Sequence, residues 1–303
     1  MINDTHFEVI IIGGSYAGLS AGMALGRALR KTLIIDSNLP CNRQTPHSHN
    51  FITQDGEQPH KIAEKAKAQI LKYDTVKFLN DLVIEGKKTP GGFEVTTQSG
   101  KIFGTKKLVF ATGVKDLMPD ISGFAECWGI SVIHCPYCHG YVVKNQKTGI
   151  LANGDFAYHY AQLLRNWTKD LTIFTNGKSA FSSEQIDKIK KHNIPIIDKK
   201  ITSLQHENGN VKAIIFDDNS TFELTAIYSR PKFEQHCKIP EILGCVLNEQ
   251  GLLQVDMFQK TNVAHIFACG DNASQMRAVA NAVAAGNLTG AMVNHGMTEE
   301  EFL

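Results

Sequence analysis

The segment from Phe7 to Asp36 constrains the fold of this chain more than any other. It opens with Phe7–Ile12, a β-branched and almost continuous apolar run that is typical of a buried parallel strand. Gly13–Gly18 follows, then a helical pattern to about Arg30 and a second strand that ends in Asp36. Glycines let the backbone approach a pyrophosphate at a helix N-terminus, and the acid binds a ribose hydroxyl. The segment therefore predicts a dinucleotide-binding Rossmann unit, although Ser15 replaces the usual second glycine.

A second strand–turn–helix pattern lies in the middle of the chain. Gly149–Leu151 is predicted to be its strand, Ala152–Ala157 its turn and Tyr158–Trp167 its helix, before another strand at Leu171–Phe174. A chain of 303 residues is long enough for two domains of ordinary size. We therefore predict an α/β fold with two Rossmann-like nucleotide-binding domains, the second inserted into the first.

The other periodic segments predict shorter elements. Helices are expected near Lys61–Tyr73, from a capping box at Ser182 and Gln185 to about Lys191, and over Ser274–Val293. Strands are expected near Leu82–Glu85, Phe93–Thr97, Lys101–Phe103, Lys107–Phe110, Ile194–Ile197, Val211–Phe216, Phe222–Tyr228, Gly251–Val255 and Asn262–Phe267.

Composition and charge narrow the possible partners. Hydrophobic residues make up 43% and charged residues 20% of the chain, which supports packed cores rather than disorder. A net charge of +1 creates no large single-sign field, so we expect no nucleic acid and no membrane partner. No apolar run reaches the roughly 18 residues of a spanning helix, and the N-terminus lacks a signal peptide's basic start. Seven cysteines without an export signal predict a reducing, cytoplasmic location.

Cys135 and Cys138 lie three positions apart, close enough for their sulfurs to form a disulfide. In a reducing compartment such a pair is more often catalytic or metal-binding than a static crosslink. The other cysteines show no such spacing and are predicted to be small core residues.

Pro40–Gln58 is polar and rich in proline, histidine and asparagine, which predicts a loop. Its side chains Asn42, Arg43, His49 and Asn50 either line a cofactor or belong to a solvated surface loop.

Taken in order, these motifs resemble the low-molecular-weight thioredoxin reductases of the pyridine-nucleotide disulfide oxidoreductase family. The resemblance covers nearly the whole chain. Its motifs are Gly13–Gly18, Ala111–Gly113, the cysteine pair and Gly270-Asp271, in that order. The family implies FAD as cofactor, a homodimer, and a thioredoxin-like protein or small molecule as dithiol/disulfide substrate.

The resemblance also implies roles for individual residues. Cys138 would face the flavin, and Cys135 would exchange with the substrate. FAD would be bound by Gly13, Gly14, Ser15, Ala17, Gly18, Asp36, Arg43, Asn50, Val83, Ala111, Thr112, Gly113, Gly270, Asp271, Arg277, Ala278 and Val279.

The chain departs from the family pattern after the second cysteine. Family reductases carry an aspartate there that protonates the leaving thiolate, and this chain carries His139. Histidine, with an ordinary pKa of about 6.5, is suited to the same acid–base work, and a purely packing role is the alternative.

Two further departures weaken the nicotinamide motif. Its first glycine is Ala152, which leaves Gly154 and Ala157 of the usual pattern, and an added methyl obstructs close approach of a pyrophosphate. The arginines that clamp the 2′-phosphate of NADPH are replaced by Thr175–Lys178 with a single cation. We therefore expect impaired use of NADPH or NADH, and an alternative in which oxygen or another carrier exchanges electrons with the flavin, as in dithiol oxidases.

Three rival interpretations of the cysteine pair have less support. Cys135, Cys138 and His139 match the attachment motif of c-type haem, but that chemistry requires export. A structural zinc site needs two short-spaced pairs, which the chain lacks, so no metal is predicted. An FAD-binding sensor or interaction protein without catalysis would have no use for the cysteine pair.

The predicted domains are an FAD-binding domain of residues 1–114 and 234–303, and a nicotinamide-type domain of residues 115–233 that carries the cysteine pair. The predicted activity is FAD-dependent exchange of two electrons with a dithiol/disulfide partner.

Overall fold

The computed structural model describes residues 4–303. In chain order, its helices are α1 (Tyr16–Arg27), α2 (Pro59–Ile70), α3 (Phe124–Cys127), α4 (Pro136–His139), α5 (Gly154–Leu164), α6 (Ser183–Lys191), α7 (Ile239–Ile242) and α8 (Val279–Phe302). Its strands are β1 (His6–Ile12), β2 (Thr32–Asp36), β3 (Val76–Asn80), β4 (Val83–Thr89), β5 (Gly92–Thr97), β6 (Ile102–Phe110), β7 (Val114–Leu117), β8 (Val132–Ile133), β9 (Thr148–Leu151), β10 (Leu171–Phe174), β11 (Ile196–Ile197), β12 (Ile201–Glu207), β13 (Asn210–Phe216), β14 (Thr221–Glu223), β15 (Ala226–Ser229), β16 (Lys232–Gln235) and β17 (Ile266–Ala268).

The chain divides into two compact units. The first contains the residues up to Arg43, then Phe51–Lys115 and Phe233–Leu303, and the second contains Gln44–Asn50 and Asp116–Lys232. Each unit has its own sheet with a parallel core; the five-stranded sheet of the second unit is parallel, and the sheet of the first unit adds β4 and β5 in antiparallel pairing. This arrangement confirms the α/β fold in which a second Rossmann-like domain is inserted into the first.

The first unit is built on a seven-stranded sheet of order β3-β2-β1-β6-β5-β4, with β17 paired to β6. Side chains alternate between its faces because successive residues of a strand point to opposite sides. Ile10 and Ile12 of β1 enter one apolar core, and Val9 and Ile11 enter the other. Strand β1 is therefore buried on both faces, which agrees with its nearly continuous apolar run in the sequence.

Helices α1 and α8 pack closely on one face of this sheet. A Cβ on Gly286 would lie 2.1 Å from the carbonyl oxygen of Ala17, so this position of α8 admits only glycine. Arg30 binds Glu301, and Lys107 binds Glu300, which holds the last turn of α8 to the first unit. These contacts bring the start of α8 close to the start of α1.

The second unit contains a parallel sheet of order β11-β10-β9-β15-β8 and an antiparallel sheet of order β12-β13-β14. Helix α5 follows β9, and its buried residues Ala157, Tyr160, Ala161 and Leu164 pack in one apolar core with Ile133 of β8. The cysteine pair follows β8 directly.

Several boundaries differ from those expected. The predicted strands Lys101–Phe103 and Lys107–Phe110 are one strand, β6, whose first half pairs with β5 and whose last residues pair with β17. The predicted strand Phe222–Tyr228 is divided between β14 and β15, which belong to different sheets. Gly251–Val255 forms only an isolated bridge between Leu253 and Leu247. Strand partners far away in sequence decide the first two outcomes, β17 for β6 and β9 for β15.

Helix limits also shifted. The predicted helix Ser274–Val293 begins at Val279, because Ser274 and Met276 form local hydrogen bonds with each other and with Asn281. The capping box of Ser182 and Gln185 is present in both directions, as predicted.

Among residues 4–303, no helix is long and apolar enough to cross a membrane. The same part of the chain contains no group of three or more His, Cys, Asp or Glu side chains placed to hold a metal ion.

Candidate active site

The redox loop, defined as residues 134–140, leaves the carboxyl end of β8 and contains α4. Cys135 and Cys138 form a disulfide. Cys135 is the N-cap of α4, and its Sγ accepts a hydrogen bond from the N–H of Cys138 at 3.1 Å. A helix N-terminus stabilises negative charge, so this position favours the thiolate of Cys135 once the disulfide is reduced.

Gly140 ends this short helix and must be glycine. A Cβ there would lie 2.5 Å from the carbonyl oxygen of Pro136 and 2.8 Å from the ring of Trp167. Close packing at this end fixes the position of Cys138 and His139 relative to the rest of the second unit.

His139 lies beside the disulfide with both ring nitrogens buried and without a hydrogen-bond partner among residues 4–303. Burial is the main cause that lowers the pKa of His139 to about 4, and the imidazole of His49 lowers it further. The Cys135 backbone favours the protonated ring and opposes this lowering of the pKa. His139 is therefore neutral at physiological pH while the disulfide is intact.

The glycine turn of the first unit joins β1 to α1. Gly13 has φ of +104°, and a Cβ on Gly18 would lie 1.8 Å from the carbonyl oxygen of Gly13. Ser15 is the N-cap of α1 but makes no side-chain hydrogen bond there, and the first turn holds no acidic residue. The Ser15 side chain therefore does not cap the N–H groups at the start of α1. Such N–H groups can bind a phosphate group.

Asp36 closes this turn from the end of β2. Its Oδ1 accepts a hydrogen bond from the N–H of Gly14 at 2.8 Å, and its Oδ2 accepts one from the N–H of Asn38 at 3.1 Å. A carboxylate has about four acceptor positions, so capacity remains for a ribose hydroxyl. The structure thus brings Asp36 and the glycine turn together.

The Ala111–Gly113 and Gly270-Asp271 motifs lie against the same glycine turn. The N–H of Ala111 donates to the carbonyl oxygen of Ile12 at 2.8 Å, which places the Ala111–Gly113 motif against it. A Cβ on Gly270 would lie 3.0 Å from the Cβ of Ala17. Asp271 forms an ion pair with Arg277 at 3.4 Å, directly before Ala278, the N-cap of α8.

Three predicted cofactor residues have other surroundings. Arg43 donates to the carbonyl oxygen of Pro40 within its own loop at 3.2 Å. Asn50 packs with the second unit rather than with the glycine turn's unit. The side chain of Val83 is buried in an apolar core, so only its backbone is available to a cofactor.

The turn of the second unit is closed by its own side chains. Asn153 is the N-cap of α5, and its Oδ1 accepts hydrogen bonds from the N–H of Gly154 at 2.9 Å and of Ala180 at 2.8 Å. Asp155 lies in the first turn of α5, and Gln185 donates to its carboxylate at 2.8 Å. Because Asn153 starts the helix, α5 begins at Gly154, four residues before the predicted start.

The loop after β10 is tied to the same cap. Asn153 donates through Nδ2 to the carbonyl oxygen of Lys178 at 2.9 Å. Asn176 accepts a hydrogen bond from the N–H of Ile201 at 2.8 Å. The segment expected to meet a 2′-phosphate is therefore engaged with the protein itself.

The isolated cysteines differ in burial: three are core residues as predicted, Cys237 is half-buried, and for Cys41 the predicted core role is wrong. Cys127, Cys245 and Cys269 are buried, and burial raises the pKa of each thiol. Cys41 is exposed, with its Sγ 3.8 Å from Asp271 Oδ2.

Two residues of this region were not predicted from the sequence. Asn272 is fully buried and donates to the carbonyl oxygen of Phe110 at 2.8 Å, which fixes the chain after Asp271. Asn153 was placed in the turn but not recognised as a cap, although asparagine before a helix is a cap signal. No sequence signal identifies Asn272, because its role depends on a strand distant in the chain.

Comparison with known proteins agrees with this arrangement. A family model described as pyridine nucleotide-disulphide oxidoreductase matches residues 7–286. Thioredoxin reductase tcpT of Claviceps purpurea is 31% identical over 298 residues, which cover 95% of this chain and 93% of that protein. Thioredoxin reductase aclD of Aspergillus oryzae is 31% identical over 295 residues, 93% of each chain. The crystal structure of an oxidoreductase from Agrobacterium tumefaciens has a TM-score of 0.91 at 34% identity and covers 97% of this chain and 99% of its own.

Proposed function

Because this chain belongs to the pyridine nucleotide-disulphide oxidoreductase family and is a thioredoxin reductase-like enzyme, we propose that Cys135 and Cys138 pass two electrons between bound FAD and a dithiol/disulfide partner. The observation that carries the proposal is the Cys135–Cys138 disulfide at the N-terminus of α4, beside a buried histidine. The names of the relatives favour a thioredoxin-like protein as partner, and a small dithiol is the alternative. We also propose a homodimer, as the resemblance implies, and a cytoplasmic location, on the basis of the cysteine usage.

The exchange with a disulfide partner takes two steps. The Cys135 thiolate attacks one sulfur of the partner's disulfide, forms a mixed disulfide and releases one thiolate of the partner. The Cys138 thiolate then attacks the Cys135 sulfur, releases the second partner thiolate and leaves the Cys135–Cys138 disulfide. Two protons convert the released thiolates to thiols. The reverse sequence oxidises a dithiol partner and leaves both cysteines reduced.

The first unit provides groups that fit FAD. Uncapped N–H groups at the start of α1 suit the pyrophosphate, Asp36 suits the adenosine ribose, and Asp271 suits the ribityl or phosphate side. Bound FAD would supply the acceptor or donor for the two electrons. The protein's part is to hold Cys138 on a rigid helix end and to exclude water around it.

His139 is proposed to handle the proton of the thiol. While the disulfide is intact its pKa is lowered to about 4, so its ring is a base without a proton to give. A thiolate formed next to it would raise this pKa, because an opposite charge favours imidazolium. The ring would therefore take the proton of the thiol as the thiolate forms, and the imidazolium would give a proton to the departing thiolate.

Nicotinamide use is proposed to be weak or absent. A pyrophosphate at α5 would compete with the Asn153 carboxamide for the N–H of Gly154 and would meet the Asp155 carboxylate. For this reason a dithiol oxidase, with oxygen or another carrier as the second redox partner, is the second candidate. In that case the dithiol would supply two electrons to the flavin, and oxygen or the other carrier would accept them, so the electrons flow in the opposite direction to a reductase.

An anaerobic titration of the purified protein with NADPH, NADH and dithiothreitol, followed by flavin absorbance, tests both candidates. We expect bleaching by dithiothreitol and little by either nucleotide, and return of the spectrum on admitting air would support the oxidase. Rapid bleaching by NADPH would instead establish the reductase. Absence of a flavin spectrum, or a Cys138→Ser variant that bleaches with dithiothreitol at the wild-type rate, would refute the proposed chemistry.

A further inference from the structure

The residue immediately before the disulfide, His134, is held at both its backbone and its ring. Its carbonyl oxygen accepts a hydrogen bond from the Tyr160 hydroxyl at 2.6 Å. Its imidazole stacks on the indole of Trp128, with ring centroids 5.8 Å apart and planes inclined by 29°. The preceding residue, Ile133, is paired in register with Tyr228 of the neighbouring strand. The chain that enters Cys135 is thus restrained from three directions.

Tyr160 is itself rigidly placed. It lies on α5 with 9% of its surface exposed, and its ring packs against Phe156 at 4.3 Å and Tyr228 at 6.2 Å. Burial raises the pKa of the Tyr160 hydroxyl, so it remains protonated and able to donate at physiological pH. Asn153 thus caps the N-terminus of α5, and Tyr160, on the side of the same helix, contacts the redox loop.

We propose that Tyr160 is a positioning residue that, by pinning the His134 carbonyl, holds Cys135 within reach of Cys138 after the disulfide is reduced. This inference rests on the proposed role of the two cysteines. Reduction breaks the Sγ–Sγ bond and would let the loop relax. A pinned loop gains less conformational freedom on reduction, so the disulfide reforms more readily. The hydrogen bond from Tyr160 to the His134 carbonyl therefore makes the disulfide harder to reduce.

Tyr228 offers a matched control. It is a second tyrosine of the same core, 1% exposed, with a buried hydroxyl that has no hydrogen-bond partner among residues 4–303. Tyr160→Phe and Tyr228→Phe each remove one buried hydroxyl and keep the ring. Only the first removes a contact with the redox loop.

The experiment measures the equilibrium of the disulfide in the full-length, flavin-containing protein. Samples equilibrate anaerobically with dithiothreitol at a series of reduced-to-oxidised ratios, and free thiols are then trapped in acid by alkylation. Mass spectrometry of the peptide with Cys135 and Cys138 gives the reduced fraction. In this reaction dithiothreitol gives up two electrons and two protons and closes to its cyclic disulfide, while both cysteines become thiols.

We expect Tyr160→Phe to make the disulfide about 3–10-fold easier to reduce, which corresponds to a potential about 14–30 mV higher. Tyr228→Phe should stay within about twofold of wild type. Equal shifts in both variants, or an unshifted Tyr160→Phe, would overturn the inference. If Tyr160→Phe does not fold, as judged by near-UV circular dichroism, Tyr160→Met removes the same hydroxyl and places an unbranched apolar side chain at the position. A shift in the same direction supports the proposal, and no shift refutes it.

This equilibrium does not depend on turnover. If the protein turns over dithiols normally but Tyr160→Phe leaves the disulfide equilibrium unchanged, only the positioning role of Tyr160 is refuted. If Tyr160→Phe shifts the disulfide equilibrium as expected but the cysteines never exchange electrons with the flavin, only the proposed function is refuted.

Discussion

The two strand–turn–helix units of this chain share a topology but differ at the start of their helices. The N-cap residue of α1 is Ser15, whose side chain makes no cap hydrogen bond, and the first turn of α1 holds no acid. The N-cap residue of α5 is Asn153, whose side chain does cap the helix, and Asp155 lies in its first turn. The first helix start is available to an anionic ligand, and the second is satisfied internally. The comparison shows that a repeated fold does not imply a repeated ligand.

The second unit supports the redox loop. Its sheet and α5 hold the redox loop, through the pairing of β8 with β15 and the hydrogen bond from Tyr160. We infer that α5 serves as a support for the cysteine pair rather than as a nucleotide site. The following predictions test this difference between the units, beginning with the largest expected effect.

Gly18→Ala should damage the first unit severely, whereas Gly154→Ala should be tolerated in the second. The Gly18 Cβ would overlap the Gly13 carbonyl oxygen, but the nearest atoms to a Gly154 Cβ are 3.9 Å away. We expect a loss of about 3 kcal/mol or more and loss of flavin for Gly18→Ala. Gly154→Ala should cost about 1 kcal/mol, for its φ of +61° alone. Urea unfolding and the flavin-to-protein absorbance ratio measure both, and equal flavin content in the two variants would contradict the comparison.

The buried histidine of the second unit should make the protein sensitive to acid. The folded pKa of His139 is about 4, below its ordinary value of 6.5, so the native state prefers the neutral ring. Its contribution to stability is complete above pH 6.5 and is lost as the pH falls toward 4, by about 3 kcal/mol at most. His139→Gln should flatten this part of the stability curve, measured by urea unfolding between pH 4 and 8.

The exposed His236 supplies the control for this measurement. His236→Gln should leave the pH dependence of wild type intact. If His139→Gln and wild type lose equal stability on acidification, the buried ring is not the acid-sensitive group.

Asn153→Ala should destabilise the second unit and leave the N–H of Gly154, at the start of α5, without its internal cap. Loss of the cap is expected to cost about 1 kcal/mol of unfolding free energy. With Asp155→Asn added, the start of α5 loses its opposing charge, and NADPH should bind more tightly than to wild type. Isothermal titration with NADPH measures the affinity. An unchanged affinity in the double variant would show that the internal cap is not what excludes the nucleotide.

Ser15→Ala should have the smallest effect. Since Ser15 makes no cap hydrogen bond, we expect a change in unfolding free energy within about 0.5 kcal/mol. A loss as large as that of Asn153→Ala would mean that the two helix starts are capped alike, and the comparison would fail.

Much of the fold follows from local patterns. The apolar runs of β1 and β10, the capping box of α6 and the glycine turn of the first unit are encoded by adjacent residues. Strand β12 was missed and β6 was divided because their lengths depend on partner strands. The last nine residues of α8, 294–302, were missed because Arg30 and Lys107, from elsewhere in the chain, bind Glu301 and Glu300.

By itself, the sequence determined the family, the two nucleotide-type units and the adjacent cysteines, because each depends on residues that are neighbours in the chain. Only the tertiary structure decided that Asn153 closes α5, that both ring nitrogens of His139 are buried without partners, and that Tyr160 reaches the His134 carbonyl. These properties arise where segments distant in sequence pack together. Burial and hydrogen-bond partners, rather than residue type, set the charge and freedom of each group.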